Sequence, residues 1–219
     1  MVRALLDGSK TQTRRVMKPQ PIADAKYLGG HYIPASKRTK GASISIEAPY
    51  IGMACPYSQP GDQLWVREAF RTETAFDNIK PSLLPVASRG KTLVIPFWRD
   101  ADLTLPIVGI PGLTPGKYRP GMFMPRVISR ITLKITGVRV ERLQDISESD
   151  AITEGIETLR YGGLTTYRDY SLTDEWAEVS PMLESPIESY RTLWESINGP
   201  GSWDANPWVW VVEFKRIEQ

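Results

Sequence analysis

Apolar and polar residues alternate most regularly in two late segments of the chain, and both segments predict strands. In residues 131–142 the apolar residues up to Ile135 lie at odd-numbered positions, on one face of the predicted strand. From Val138 onward they lie at even-numbered positions, on the other face. This change predicts a bulge at Gly137 that bends a long strand. Residues 208–217, WVWVVEFKRI, predict a closing strand that is apolar on both faces.

Apolar residues spaced by three or four positions predict three helices. The longest has Ser185 as its N-cap and carries an apolar stripe along one face. A short helix begins after a cap at Ser147 and ends at Gly155, which places Glu154 in its last turn. A third helix at the start of the chain ends at Gly8.

Residues 63–70, QLWVREAF, follow a turn and predict a further strand. Leu64 and Val66 would lie on one face of this strand, and Trp65 and Arg67 on the other. Several bent strands together with few helices predict an α+β fold, built around a small mixed or antiparallel β-barrel with peripheral helices.

Composition excludes several classes of protein. The chain has 219 residues, of which 41% are hydrophobic and 24% charged, with a net charge of +2, one Cys and one His. Cys55 cannot form an internal disulfide, and Cys55 with His31 is too small a set for a structural zinc ion. A secretory signal and a membrane-spanning segment are absent from the pattern, so we expect a cytoplasmic protein with no membrane partner.

Charge is unevenly distributed along the chain. Residues 1–50 contain nine Lys and Arg against three Asp and Glu, whereas residues 143–190 contain two against eleven. A basic segment of this kind is typical of a protein that meets a polyanion, although two oppositely charged solvated faces of one domain give the same pattern.

Reactive side chains are densest in residues 8–15, GSKTQTRR. A helix end followed by a strand can direct Lys10 and Thr13 into one space, and Arg15 offers a planar donor fork for a carbonyl or phosphate oxygen. Spacing alone leaves this segment either as an anion or carbonyl pocket or as solvated surface.

Several motifs, in order along the chain, resemble the ASCH domains, a branch of the PUA-like β-barrels that includes phage-encoded members. They are Gly8-x-Lys10 with Arg15, GDQLWV, ITLKITGVRVERL, DAITEGI and the terminal WVVEFKRI. The resemblance covers close to half of the chain. It implies one ASCH-type domain over residues 1–219, with long insertions at about 18–60, 71–125 and 157–185.

Within that family, this chain resembles the small bacterial enzymes that hydrolyse N4-acetylcytidine to cytidine and acetate. Their Gly-x-Lys-Thr-x-Thr-x-Arg motif matches Lys10, Thr11, Thr13 and Arg15, and their catalytic Glu aligns with Glu154. The resemblance implies an amidohydrolase that acts on an N4-acylated cytidine through Lys10, Thr13 and Glu154, with Thr11 and Arg15 contacting substrate and with no metal or organic cofactor.

Amide hydrolysis without a metal or His requires a nucleophile, a proton acceptor and a donor for the developing oxyanion. Thr13 would be the nucleophile. Burial and neighbouring arginines lower the pKa of Lys10 and a Glu154 carboxylate raises it, so the sequence leaves open whether Lys10 or Glu154 accepts the proton.

Trp65 and Arg67 are the further substrate-binding candidates, because an aromatic ring beside a cation suits a flat nucleobase; packing of Trp65 inside the barrel is the competing interpretation. The expected partner is a modified nucleoside or RNA, with the oligomeric state open. The alternative functions are a non-catalytic RNA-binding module, an ASCH-type ribonuclease, and an interaction protein that uses the acidic 143–190 segment.

Overall fold

A computed structural model of the chain describes residues 2–23, 31–33, 42–44, 55–57, 59–84, 97–99, 114–161, 163–172 and 182–217. Large parts of the three predicted insertions, at about 18–60, 71–125 and 157–185, lie outside these ranges. The described residues form a mixed α+β fold with few helices.

Strands dominate the part of the chain that is described. They are β1 (Gln12–Val16), β2 (Ile22–Ala23), β3 (His31–Ile33), β4 (Ala42–Ile44), β5 (Gln63–Trp65), β6 (Phe70–Thr72), β7 (Phe97–Arg99), β8 (Thr132–Arg142), β9 (Thr158–Tyr161), β10 (Leu164–Tyr167) and β11 (Trp208–Ile217). The α-helices are α1 (Val2–Leu6), α2 (Glu148–Thr153) and α3 (Pro186–Asn198).

The principal sheet contains four strands in the order β1-β11-β8-β5. Strands β1 and β11 are antiparallel, with Thr13 opposite Val212 and Arg15 opposite Trp210. The sheet is antiparallel and curled as one half of a barrel. The α+β class predicted from the sequence is therefore confirmed, and the closed barrel of ASCH type stays a prediction.

Smaller sheets are built from the remaining strands. Strands β2, β3 and β4 form a three-stranded antiparallel sheet, and β6 pairs with β7. Strands β9 and β10 form a hairpin with Leu164 opposite Tyr161. Each lies in or overlaps a segment that the sequence analysis treated as an insertion.

The chain divides into two compact units. The first consists mainly of residues Arg3–Gln63 and Lys134–Lys215, and the second mainly of Leu64–Leu133. The prediction of a single domain over residues 1–219 is not decided by this division.

Each unit has its own apolar core. In the first unit, Tyr190 and Trp194 of α3 pack with Val209 and Val211 of β11 and with Ala151 of α2. In the second unit, the core consists of Phe70, Leu84, Met124 and Ile128.

Local signals in the sequence define the helix ends. Ser147 accepts a hydrogen bond from the N–H of Asp150, and Ser185 accepts one from the N–H of Glu188, as capping residues do. Gly8 and Gly155 have φ of 82° and 83°, the left-handed conformation that ends a helix. These boundaries confirm the predicted helices, except that Glu154 is the C-cap of α2 and not part of its last turn.

The strand predicted over residues 63–70 is wrong in its extent, because β5 ends at Trp65. The N–H of Val66 still donates to the carbonyl of Ile131 at 3.0 Å. The carbonyl of Val66 instead accepts from the hydroxyl of Ser129 at 2.9 Å. A side-chain hydroxyl therefore takes the place of a backbone N–H as the partner of the Val66 carbonyl, and the strand pairing of β5 ends.

The apolar parity of β8 changes as predicted, since Ile135 and Val140 are both buried. The strand continues through Gly137 as one element of eleven residues. A Cβ at this position would lie 2.5 Å from Oε2 of Glu213, so glycine leaves room for a carboxylate from the neighbouring strand.

Candidate active site

Lys10 lies between α1 and β1, where hydrogen bonds hold the backbone on both sides. Its N–H donates to the carbonyl of Ala4 at 2.8 Å. The N–H of Thr11 donates to the carbonyl of Thr153 at 2.9 Å, which ties this turn to the end of α2. Lys10 is 7% exposed, so a charged side chain has been placed inside the first unit.

Glu154 meets Lys10 from the C-cap of α2 and is itself 4% exposed. Its Oε2 lies 3.0 Å from Nζ of Lys10, and the same Nζ also donates to the backbone carbonyl of Glu154. Gly155 permits this approach, because a Cβ there would lie 2.8 Å from Cβ of Lys10. The structure thus joins two predicted catalytic residues that are 144 positions apart in sequence.

Arg14 is the residue that the sequence analysis missed as a member of the site. Its side chain is fully buried, and its Nη1 lies 3.2 Å from Oε1 of Glu154. Its Nη2 lies 3.0 Å from Oε2 of Glu141 and 3.0 Å from Oδ2 of Asp150. One guanidinium therefore contacts three carboxylates.

Arg139 of β8 extends this cluster toward solvent. It donates to Oδ2 of Asp150 at 2.8 Å and also pairs with Glu141 and Glu213. We call the set of three cations and four carboxylates the charge network: Lys10, Arg14, Arg139, Glu141, Asp150, Glu154 and Glu213. It has a formal charge of −1.

Burial is the largest influence on the pKa of Lys10. Desolvation lowers the pKa of its ammonium below the ordinary value of 10.5, while Glu154 acts in the opposite direction. The positive charges of Arg15 and Arg14 lower the pKa of Lys10 further. The neutral amine that a general base requires is therefore more accessible here than at a solvated lysine.

The same charges act on Asp150 in the network and on Tyr190 beside it. Burial acts to raise the pKa of Asp150, but Arg139 and Arg14 outweigh it and the net pKa lies below the ordinary 3.8. Burial and the nearby Glu154 raise the pKa of Tyr190 well above 10. The ring of Tyr190 lies 6.0 Å from Cζ of Arg14.

Thr13 and Arg15 lie on the other face of β1. Gln12 and Arg14 are buried, and the amide of Gln12 donates to the carbonyl of Asp150 at 2.8 Å. Side chains alternate along a strand, so half-buried Thr13 and exposed Arg15 share the opposite face. Among the described residues, none makes a hydrogen bond with the Thr13 hydroxyl, and its role as nucleophile stays a prediction.

Thr11, the other predicted contact of the motif, is exposed. Its N–H and carbonyl are both used by backbone hydrogen bonds, the carbonyl accepting from the N–H of Phe214 at 2.8 Å. Its hydroxyl is the group left for a substrate contact, which also stays a prediction.

Trp65 and Arg67 belong to the second unit and contact each other. Cζ of Arg67 lies 4.8 Å from the centre of the Trp65 ring, and Cζ of Arg126 lies 5.4 Å from it. Nη1 of Arg67 donates to the carbonyl of Met122 at 3.4 Å. Trp65 is half-buried, so its ring is neither fully packed nor fully free.

The second unit also contains a cavity of about 550 Å³. Its lining is mainly apolar and includes Lys80, Met122, Phe123 and Pro125. None of the site residues predicted from the sequence lines this cavity.

Within the described ranges, no three His, Cys, Asp or Glu side chains are grouped as a metal ion requires. None of the helices described has the length and apolar character needed to cross a membrane.

Comparison of the chain with protein families, curated proteins and solved structures finds no match. One pattern in the sequence does indicate the missed residue: in a strand that follows Lys10, positions 12 and 14 share a face. A buried arginine on that face needs carboxylate partners. Asp150 and Glu154 can supply them, because they lie one helical turn apart in the acidic segment of residues 143–190.

Proposed function

We propose that this protein is an amidohydrolase that removes an acyl group from the N4 position of a modified cytidine. The observation that carries the proposal is the buried pair of Lys10 and Glu154, in which burial lowers the pKa of the lysine. A buried amine with a lowered pKa beside a carboxylate is suited to moving a proton during attack on an amide.

The proposed reaction has two steps. Oγ1 of Thr13 attacks the acyl carbon, and its proton passes to the neutral amine of Lys10 through a bridging water molecule, because Thr13 lies on the face of β1 opposite the Lys10 and Glu154 pair. The bond between the acyl carbon and N4 then breaks, and Lys10 returns the proton to N4 of the departing cytidine. Water hydrolyses the acyl-threonine ester and releases the carboxylic acid, while Glu154 holds the ammonium that forms in each step.

The test measures cytidine release from N4-acetylcytidine by chromatography. We expect turnover by the wild type and loss of at least about 100-fold in Lys10→Ala and Glu154→Gln. Lys134→Ala and Glu157→Gln are the matched controls, because both residues are exposed members of the first unit. Wild-type turnover in Lys10→Ala or in Glu154→Gln would contradict the proposal.

Thr13→Val tests the nucleophile separately. Loss of turnover in a folded Thr13→Val protein supports attack by the threonine. Retained turnover in Thr13→Val, with loss in Lys10→Ala, would assign the attack to water and leave the Lys10 and Glu154 pair as the proton-transfer groups.

The pH profile separates the two proton acceptors. If neutral Lys10 is the base, turnover rises with pH and levels off above a pKa that lies below 10.5. If Glu154 is the base and Lys10 stabilises the oxyanion as a cation, turnover falls over the same range as Lys10 loses its proton.

The second candidate function is RNA binding without turnover, and the arrangement around Trp65 favours it. An indole flanked by the guanidiniums of Arg67 and Arg126 is suited to a nucleobase and its phosphates. Binding of a single-stranded RNA should weaken with added salt, and Trp65→Ala should weaken it about 10-fold or more. Shortened RNA among the products would identify a ribonuclease instead.

A further inference from the structure

The guanidinium of Arg14 holds the charged residues of the site in a fixed arrangement. Its Nη2 bridges Glu141 of β8 and Asp150 of α2, and its Nη1 contacts Glu154 at the C-cap of α2. A planar guanidinium fixes the directions of its donors, which a lysine ammonium does not. Arg14 therefore connects β1 and β8 with both ends of α2.

The carboxylate of Glu154 is divided between two cations. Oε1 lies 3.2 Å from Nη1 of Arg14, and Oε2 lies 3.0 Å from Nζ of Lys10. Two contacts on different oxygens fix the plane of the carboxylate as well as its position. Without Arg14, Glu154 would keep one cationic contact and could rotate about it.

We propose that Arg14 is a positioning residue of the site: it fixes the Glu154 carboxylate against Nζ of Lys10 and keeps a second positive charge beside that lysine. This inference deepens the proposed amidohydrolase function and rests on it for its kinetic consequences. Its electrostatic consequence at Lys10 can be measured without any substrate.

Removal of Arg14 leaves each carboxylate with a cation. Asp150 and Glu141 retain Arg139, and Glu154 retains Lys10. Loss of Arg14 therefore orphans no buried anion, and the fold should tolerate the change better than loss of a sole partner. The loss of Arg14 instead allows the Glu154 carboxylate to rotate and removes a positive charge near Lys10.

Groups on several elements lie in or beside the charge network around Lys10, and Glu154, Arg15 and Arg14 are those that shift its pKa directly. Arg14 and Arg15 come from β1, Asp150 and Glu154 from α2 and its cap, Arg139 and Glu141 from β8, Glu213 from β11, and Tyr190 from α3. The tyrosine is neutral because its pKa is raised well above 10, so it adds no charge. Arg14 can be removed while every carboxylate of the network keeps a cationic partner.

The experiment is an NMR titration of the lysine side chains in the full-length protein, with the Lys10 resonance assigned by its loss in Lys10→Ala. Removing the charge of Arg14 in Arg14→Gln should raise the pKa of Lys10, whereas Glu154→Gln should lower it. Arg14→Lys keeps a positive charge and should leave the pKa of Lys10 closer to that of the wild type. Arg191→Gln, an exposed position on α3, is the control and should change nothing.

Kinetics test the positioning role. Arg14→Lys should lower kcat by about 100-fold with little change in KM, because it retains charge and loses the three-way contact. Arg14→Gln should lower kcat and also move the rising limb of the pH profile to higher pH. If Arg14→Gln does not fold, Arg14→Lys alone tests the positioning role. Its kcat should fall while the pKa of Lys10 stays close to that of the wild type.

Two results would overturn the inference: an unchanged Lys10 titration in folded Arg14→Gln, or wild-type kcat in Arg14→Lys. Failure of the proposed function has a different signature. A wild type without turnover on N4-acetylcytidine would reject that function, while the opposite movements of the Lys10 pKa in Arg14→Gln and Glu154→Gln would still be measured.

Discussion

Substitution of Glu154 by Gln removes the negative charge that Lys10 and Arg14 share. The two atoms Nζ of Lys10 and Oε2 of Glu154 are 3.0 Å apart in a pair whose side chains are 6% and 4% exposed. At an effective dielectric constant of about 20, the direct attraction at this separation is about 5.5 kcal/mol. A glutamine still accepts one hydrogen bond, so we expect a loss of about 3 kcal/mol of unfolding free energy, at the lower end for a broken buried pair.

The unfolding free energy lost in Glu154→Gln should become smaller as pH rises. Without the carboxylate, the pKa of Lys10 in the folded protein falls further below 10.5, its ordinary value. Between the folded and unfolded pKa values the unfolded chain binds more protons, so stability rises with pH in that window. Because the window begins at a lower pH in the variant, the difference between wild type and Glu154→Gln should narrow as pH increases from about 7 toward 10.

Urea unfolding followed by tryptophan fluorescence measures both effects, and the chain contains seven Trp. Glu157→Gln is the control, because Glu157 is 53% exposed on its side chain and pairs with Arg168 at 3.0 Å. An exposed pair contributes at most about 1 kcal/mol. A Glu154→Gln loss no larger than that of Glu157→Gln, or a loss that is constant with pH, would contradict a strong interaction between Lys10 and Glu154 in the folded protein.

Two further predictions concern the surroundings of the same pair. In the urea unfolding assay, Gly155→Ala should destabilise the protein by about 3 kcal/mol, because a Cβ would lie 2.8 Å from Cβ of Lys10 at a φ of 83°. Gly163→Ala, with a φ of 87° and no atom within 4 Å of the added Cβ, should cost only about 1 kcal/mol in the same assay. Equal losses in the two variants would contradict the close approach at Lys10. The lowered pKa of Asp150 adds stability above about pH 3.8 that is lost as pH falls through the lowered value, so Asp150→Asn should flatten the acid limb of a stability profile measured from pH 5 to pH 2. An acid limb as steep as that of the wild type would show that other carboxylates, and not Asp150 beside Arg139, set the acid stability.

Helix ends and the long strands could be predicted because their signals are local. The Ser147 and Ser185 caps need only residues three positions away, and positive φ at Gly8 and Gly155 follows from the absence of a Cβ. The extent of β5 could not be predicted. Its end depends on a distant partner, the hydroxyl of Ser129, that takes the place of a strand N–H.

The candidate site was predicted in part. Lys10 and Glu154 were expected to act together, and the structure brings them to 3.0 Å. Lys10 and Glu154 were paired across 144 positions because a motif resemblance pointed to both, whereas it gave Arg14 no role, and the contacts of Arg14 with Glu141, Asp150 and Glu154 follow from the fold. Thr13 and Arg14 are neighbours in sequence, and the sequence does not show which of them is on the buried face of β1. The structure places Arg14 on the buried face and Thr13 on the opposite face.

Local sequence signals specify the charged residue types and the helices and strands that hold them, because capping, strand alternation and the conformational freedom of glycine act over a few residues. The fold establishes that Lys10 is buried, that Glu154 and Arg14 neutralise each other's charge there, and that desolvation outweighs attraction at the lysine. These are properties of the medium around a charge. They depend on which segments, distant in sequence, pack around the charge and exclude water from it. A linear pattern of residues does not show which segments these are.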